Sequence, residues 1–221
     1  MSQNKRQKRY LDRWQQAEPL ENKTDKDEYV EKEIDRIKIA LGLDDATSNI
    51  AQQIYENLKE QDMLRGRPID SVVISAIYIA CRQMSQGISV TDLSEVSSVR
   101  ASNISSAAKD FVDLLGLSMG ISEPEDYLER ILKDVNSIRY RDDLDPVGDD
   151  VIGRAREIIE ESKEAGIVSG KSPTAFAGAA IYLAGKELGK DVRQSDCSQA
   201  SDSSEVTIRL RYKEQQEILE S

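Results

Sequence analysis

Apolar residues recur at helical spacing along most of the chain, and nowhere do they alternate with period two. Val30, Ile34, Ile37 and Leu41 are separated by 4, 3 and 4 positions, one face of a helix that begins near Asp25 and stops at Gly42. Ile50, Ile54 and Leu58 mark a second helix. Gly66-Arg67-Pro68 breaks it, and Pro68 suits the first turn of a third, where its missing N–H costs nothing. That third helix, about 69–84, holds Ile69, Val72, Val73, Ala76, Ile77, Ile79 and Ala80. It is apolar nearly all round, so it is expected at the centre of its domain. A short helix at about 90–97 and a fifth from Ala101 to Leu115, stopped by Gly116, complete the unit.

The chain then repeats itself. Displaced by 104 positions, Gly66 falls on Gly170, Ala76-Ile77-Tyr78 on Ala180-Ile181-Tyr182, Asp92 on Asp196 and Ile104 on Ile208, without a gap. Solenoid units run roughly 20 to 50 residues, so a period this long means two similar domains. Tyr127-Leu128 matches Tyr29-Val30 at the shorter offset of 98, which predicts a six-residue insertion in the acidic stretch Asp142 to Asp150. The second copy is expected to place its second helix on Val151, Ile152, Ala155, Ile158 and Ile159, and its third from Ser172-Pro173. Its fourth helix is expected around 194–200 and its fifth from Ser204 to Leu219. The fold class expected is all-α: an arm at 1–22, a five-helix domain at 23–120 and a second at 121–221.

Composition narrows what such a molecule can do. The 221 residues suffice for two cores of about 100 residues each. The longest apolar run, Val72 to Cys81, is broken by Ser75 and too short to span a bilayer, and the basic start has no apolar stretch behind it. Neither a membrane partner nor a secretion signal is therefore expected. Cys81 and Cys197 fall inside predicted helices and read as buried thiols of a reducing cytoplasm. With no histidine and no CxxC, no ordinary zinc site can be built and no cofactor is expected. Missing histidine also removes the commonest general base, and no nucleophile–base pair is visible, so the chain reads as a non-enzyme. Gly170-Lys171-Ser172 imitates the end of a P-loop, but Ala165 stands where the first glycine is required and no strand precedes it. Asp143 to Gly148 imitates a calcium loop, but Val147 and Arg154 stand where oxygen ligands are needed.

Charge is unevenly spread. The net charge is −11, yet residues 1–14 set five cations against Asp12, a local +4 that leaves −15 on the remainder. A basic arm points to an acidic partner such as nucleic acid, although a solvated, frayed terminus fits the same residues. The acidic body would repel phosphate at ordinary salt. At molar salt the Debye length falls to about 3 Å, and that objection fades for a salt-adapted protein.

The segments RGRPIDSVVISAIYIACRQ (65–83) and SGKSPTAFAGAAIYLAGKELG (169–189) resemble the two cyclin-type repeats of archaeal transcription factor B, a relative of eukaryotic transcription factor IIB. EVTIRLRYKE (205–214) resembles the family's recognition helix, and RYLDRWQQ (9–16) its linker before the first repeat. The resemblance covers nearly the whole chain. It implies a nucleoid-associated monomer whose partners are promoter DNA, TATA-binding protein and RNA polymerase, and which reads the element beside the TATA box.

Carried onto this sequence, the resemblance makes helices four and five of the second copy a helix-turn-helix, with Val206 and Arg209 as base contacts. The chemistry suits those roles: valine packs on a thymine methyl, and arginine donates two hydrogen bonds to guanine O6 and N7. The alternative on the residues alone is Val206 as core and Arg209 as a solvated charge. Thr207 and Arg211 are candidates for the DNA backbone or for capping. Gly66-Arg67 and Gly170-Lys171 occupy equivalent interhelix turns, expected to approach the backbone downstream and upstream of TATA through exposed N–H groups and a cation. Lys8, Arg9, Arg13 and Trp14 of the arm are expected to meet DNA or polymerase.

Departures from the family pattern also shape the expectation. The zinc ribbon and reader segment of the family have no match here, so polymerase binding is expected to be weak, and a regulator competing with a full-length factor is one alternative. A cyclin-like protein-binding module without a DNA role is another. In the helix-turn-helix, Cys197, Asp202 and Ser203 stand where the family favours an aliphatic residue, glycine and another aliphatic. A lost aliphatic anchor is worth roughly 1.5–3 kcal/mol if fully buried, so a less rigid second domain is expected.

Overall fold

The structure, a computed structural model, describes residues 23–220, and among these it contains ten α-helices and no strand. The first repeat comprises α1 (Lys23–Leu41), α2 (Asp45–Glu60), α3 (Ile69–Gln83), α4 (Val90–Val96) and α5 (Ala101–Leu115). A 3₁₀ turn at Pro124–Tyr127 leads into the second: α6 (Leu128–Arg141), α7 (Asp150–Glu164), α8 (Pro173–Glu187), α9 (Gln194–Ala200) and α10 (Glu205–Leu219). Helices three to five of the two repeats begin and end 104 positions apart, as the sequence slide predicts. One local expectation changes. Pro68 is the extended residue before α3 rather than part of its first turn, whereas Pro173 does take the first helical position of α8.

Each repeat has its own core around its third helix. Nearly every residue from Val72 to Cys81 is buried in α3, and likewise from Ala175 to Gly185 in α8. The small residues of α8 let neighbours close in. A Cβ on Gly178 would lie 2.9 Å from Ser201 Cβ and 3.2 Å from Ile208 Cδ1, and one on Gly185 would lie 2.4 Å from Val192 Cγ2. The largest core side chain trades places between repeats. Phe111 of α5 faces a repeat whose α3 carries Val72, whereas the matching positions in the second repeat hold Gln215 and Phe176, all four buried. Gln215 Nε2 donates to the Phe176 carbonyl at 3.1 Å, so the polar replacement remains partly satisfied.

The length difference between the repeats lies where the first helix meets the second. Residues 42–44 make that link in the first repeat, and residues 142–149 in the second. This acidic loop is tied down rather than merely solvated. Asn136 donates to the Val147 carbonyl at 3.0 Å and accepts from its N–H at 2.7 Å, while Arg139 donates to the Asp145 carbonyl at 2.8 Å. Arg139 also donates to the Asp191 carbonyl and is buried at the position of Leu41 in the first repeat.

The repeats meet through backbone. Residues 116–123 run back along the end of α3, where Arg82 donates to the Gly120 carbonyl at 2.9 Å and Gln83 to the Ser118 carbonyl at 2.8 Å. Gly87, just before α4, has no room for a side chain: its Cβ would fall 1.9 Å from the Asp126 carbonyl oxygen. Arg130 of α6 pins the contact, donating to the Gly87 carbonyl at 2.9 Å and pairing with Asp92 at 3.0 Å.

Candidate nucleic-acid interface

Four residues, 201–204, connect α9 to α10. Serines close this turn. Ser198 Oγ donates to the Ser203 carbonyl, the Ser203 N–H returns to the Ser198 carbonyl at 3.0 Å, and Ser201 Oγ donates to the Cys197 carbonyl at 2.6 Å. Asp202 adopts a φ of +53°, the left-handed conformation for which glycine is the easier residue and aspartate a tolerated one. Hydrogen bonds thus occupy the place where the resembled family favours an aliphatic anchor, and Cys197 fills its core position, fully buried. Ser204 caps α10 by accepting from the Thr207 N–H at 3.1 Å, and its hydroxyl also meets the Thr207 hydroxyl at 2.8 Å. Thr207 is therefore engaged in the cap.

Helix α10 is two-faced. Ile208 and Gln215 are fully buried, and Tyr212 packs edge-on against Tyr182 with ring centres 4.9 Å apart. Val206, Arg209, Leu210 and Lys213, spaced by 3, 1 and 3, all point outward. Val206 is 62% exposed and Leu210 53% exposed, so Val206 is not a core residue. Among the described residues Arg209 has no carboxylate partner. The matching face of α5 carries Ser102, Ser105, Ser106 and Lys109, without an apolar or guanidinium group.

The two turn cations are matched in detail. Gly66 and Gly170 take φ values of +76° and +75°, and a Cβ on either would meet nothing within 4 Å. Within the fold, glycine serves its backbone conformation there, since no neighbouring atom of the chain needs the space. The amide after each glycine closes its own turn: Arg67 N–H donates to the Leu64 carbonyl at 3.1 Å, and Lys171 N–H to the Val168 carbonyl at 3.3 Å. Both side chains are held by the fifth helix. Arg67 pairs with Asp110 at 3.2 Å and lies 5.1 Å from the centre of the Phe111 ring. Lys171 pairs with Glu214 at 2.6 Å and lies 5.8 Å from the centre of the Phe176 ring. Arg211 donates to both oxygens of Glu214, at 2.8 and 2.6 Å. Partial burial pushes the Glu214 carboxyl up, but Lys171 and Arg211 outweigh it and hold the group below its ordinary value.

The structure therefore brings Lys171, next to Gly170, together with Arg211 through Glu214, and sets Val206 and Arg209 on the outward face of the same helix. Gly66 and Arg67 occupy the equivalent turn of the first repeat. Lys8, Arg9, Arg13 and Trp14 lie outside the described residues. Sequence reasoning missed Asp110 and Glu214. The signal was available, because the slide that lays Arg67 on Lys171 also lays Asp110 on Glu214, acid on acid. Neither cysteine is poised for chemistry: both are free and buried, with the Cys81 thiol pushed up to about 12 chiefly by burial. Among the described residues no helix is long and apolar enough to cross a membrane.

The family model described as "Transcription factor TFIIB repeat" matches this chain twice, over residues 26–113 and 124–218. The chain is 37% identical over 182 residues to "Transcription initiation factor IIB 6" of Halobacterium salinarum, covering 82% of this chain and 54% of that protein. To "Transcription initiation factor IIB 7" of the same organism it is 33% identical over 219 residues, covering 99% and 65%. To "Transcription initiation factor IIB" of Archaeoglobus fulgidus it is 32% identical over 210 residues, covering 95% and 61%. The chain thus spans between about half and two thirds of the length of these relatives.

Proposed function

The chain belongs to the transcription factor TFIIB repeat family, and from that premise we propose that it is the promoter-binding core of an initiation factor. Its relatives' names support a general role in transcription initiation. In the finer reading, the two repeats clamp a complex of TATA-binding protein and promoter DNA, and α10 reads the element beside the TATA box from the major groove. Val206 packs on a thymine methyl, and Arg209 donates to guanine O6 and N7. Arg67, Lys171 and Arg211 lie along phosphates and set the register without reading sequence.

One observation carries this reading: the outward stripe Val206–Arg209–Leu210–Lys213 on a helix otherwise anchored in its core. It joins an apolar contact to an exposed guanidinium near the N-terminal end of the helix, where a recognition helix meets base edges. The matching stripe on α5 is polar, so base reading is assigned to the second repeat alone. The net charge of −11 suits a molecule that assembles at high salt, where long-range repulsion is screened, as expected beside halophilic relatives. A gel-shift at molar KCl with TATA-binding protein and a promoter duplex tests the assignment. A slower complex that needs both DNA and TATA-binding protein is expected. Binding of a protein partner with no influence of DNA would favour a protein-binding module instead.

A further inference from the structure

Asp110 and Glu214 occupy equivalent positions of α5 and α10, 104 apart, and each pairs with the equivalent turn cation of its own repeat. The same arrangement has thus been kept twice, with the cation changed from arginine to lysine and the acid from aspartate to glutamate. Both acids are charge-paired in the free protein. Glu214 bridges Lys171 and Arg211 together, and the two cations keep it ionised below the ordinary carboxylate range. The cations themselves are partly covered, with side chains 33% exposed for Arg67 and 21% for Lys171. Arg209 is the contrast, exposed and without a carboxylate partner among the described residues.

We infer that Asp110 and Glu214 are specificity-setting residues, anionic stand-ins that hold the turn cations and compete with DNA phosphate for them. The inference rests on the reading above that these turns face the DNA backbone. Phosphate contacts supply most of the sequence-independent affinity. A cation already satisfied by a carboxylate gains little on meeting a phosphate, because one anion is exchanged for another and the first stays nearby. Backbone-only binding is therefore weakened, whereas Val206 and Arg209 keep their full contribution on the correct element. Below molar salt, where phosphate attraction is not screened away, the ratio of specific to non-specific binding rises at the expense of total affinity.

Fluorescence anisotropy with the full chain and a random-sequence duplex, from about 0.1 to 1 M KCl, tests this. Asp110→Asn and Glu214→Gln, made separately, are each expected to bind roughly two- to five-fold tighter at the lowest salt. The slope of log K against log salt should steepen by about 1 for each variant, with the gain vanishing near 1 M. Because the variants lie in different repeats, loss of fold in one, monitored by circular dichroism, leaves the other as the test. Unchanged or weaker binding by both, while Arg67→Ala and Lys171→Ala still weaken the native chain, overturns the masking and leaves the DNA-facing turns standing. A gain at one turn only overturns it for the other. If Arg67→Ala and Lys171→Ala alter binding to no duplex, the turns do not face DNA and the masking falls with them.

Discussion

A single methyl group at Gly87 should disconnect the two repeats. The Cβ of Gly87→Ala would stand 1.9 Å from the Asp126 carbonyl oxygen, 2.6 Å from its carbon and 2.9 Å from Tyr127 Cα. All three atoms are backbone, so no side-chain rotation relieves the clash. A carbon–oxygen contact settles at about 3.3–3.6 Å, which requires the surfaces to part by roughly 1.4 Å. That retreat takes the Arg130 Nε–Gly87 O bond from 2.9 Å past hydrogen-bonding range and stretches the Arg130–Asp92 pair from 3.0 Å. A hydrogen bond from a charged donor contributes about 1.5–3 kcal/mol, and some of the ion pair is lost with it, so the expected cost is about 2–4 kcal/mol. Calorimetry at molar KCl provides the assay. Since about 1 kcal/mol moves a domain of this size by roughly 4–8 °C, the lower transition should fall by about 8 °C or more. Arg130→Met removes the same bonds without the clash, and the double variant should cost little beyond the worse single one. A Gly87→Ala protein that melts like the native chain, or a double variant whose losses simply add, would refute this account of the contact.

The remaining predictions probe other parts of the structure. Gly153 lies inside α7, and a Cβ there would meet nothing within 4 Å, so Gly153→Ala should stabilise the second repeat by about 0.5–1 kcal/mol in the same calorimetric measurement. Burial raises both thiols, Cys81 to about 12 and Cys197 likewise upward, so neither should react with a thiol reagent at pH 8 until the chain is unfolded. Glu214 is held below the 4.5 of an unperturbed glutamate, so its bridge to Lys171 and Arg211 stabilises the fold above that pH and is lost as pH falls through the lower folded value. The difference in Tm between the native chain and Glu214→Gln should accordingly be flat from neutral pH to about 5 and shrink on further acidification.

Helix order, the central third helices and the register of the two repeats were legible in the sequence because each rests on a local signal. The apolar stripes have the helical period, Gly42, Gly116 and the serine caps mark ends, and the duplication checks each assignment against its copy. What escaped depends on residues far apart in the chain. Gly87 looks like any loop glycine, and its necessity comes from a carbonyl 39 positions later, at Asp126. Arg139 reads as a surface cation of an amphipathic helix, yet the inserted loop folds over it and turns it into a buried donor. The turn cations were legible by composition, whereas their partners lie 43 positions downstream, on a helix whose outward face drew attention instead. Gly66 and Gly170 were singled out for approach to DNA, whereas what the fold itself adds is a left-handed φ that favours glycine at both turns. The arm was read from charge alone, and its residues lie outside the described part of the chain.

The central claim is that α10 reads bases through Val206 and Arg209, and selection of bound sequences from a randomised element beside TATA tests it most directly. The native chain and Arg209→Ala would each be assembled with TATA-binding protein at molar salt, and the recovered sequences compared. The account expects the native chain to prefer guanine at one position, and Arg209→Ala to lose that preference, with a cost of about 1–3 kcal/mol on the preferred element and little on others. Preferences elsewhere in the element should survive. An Arg209→Ala chain that selects the same sequences with evenly reduced affinity would make Arg209 a phosphate contact and contradict the assignment.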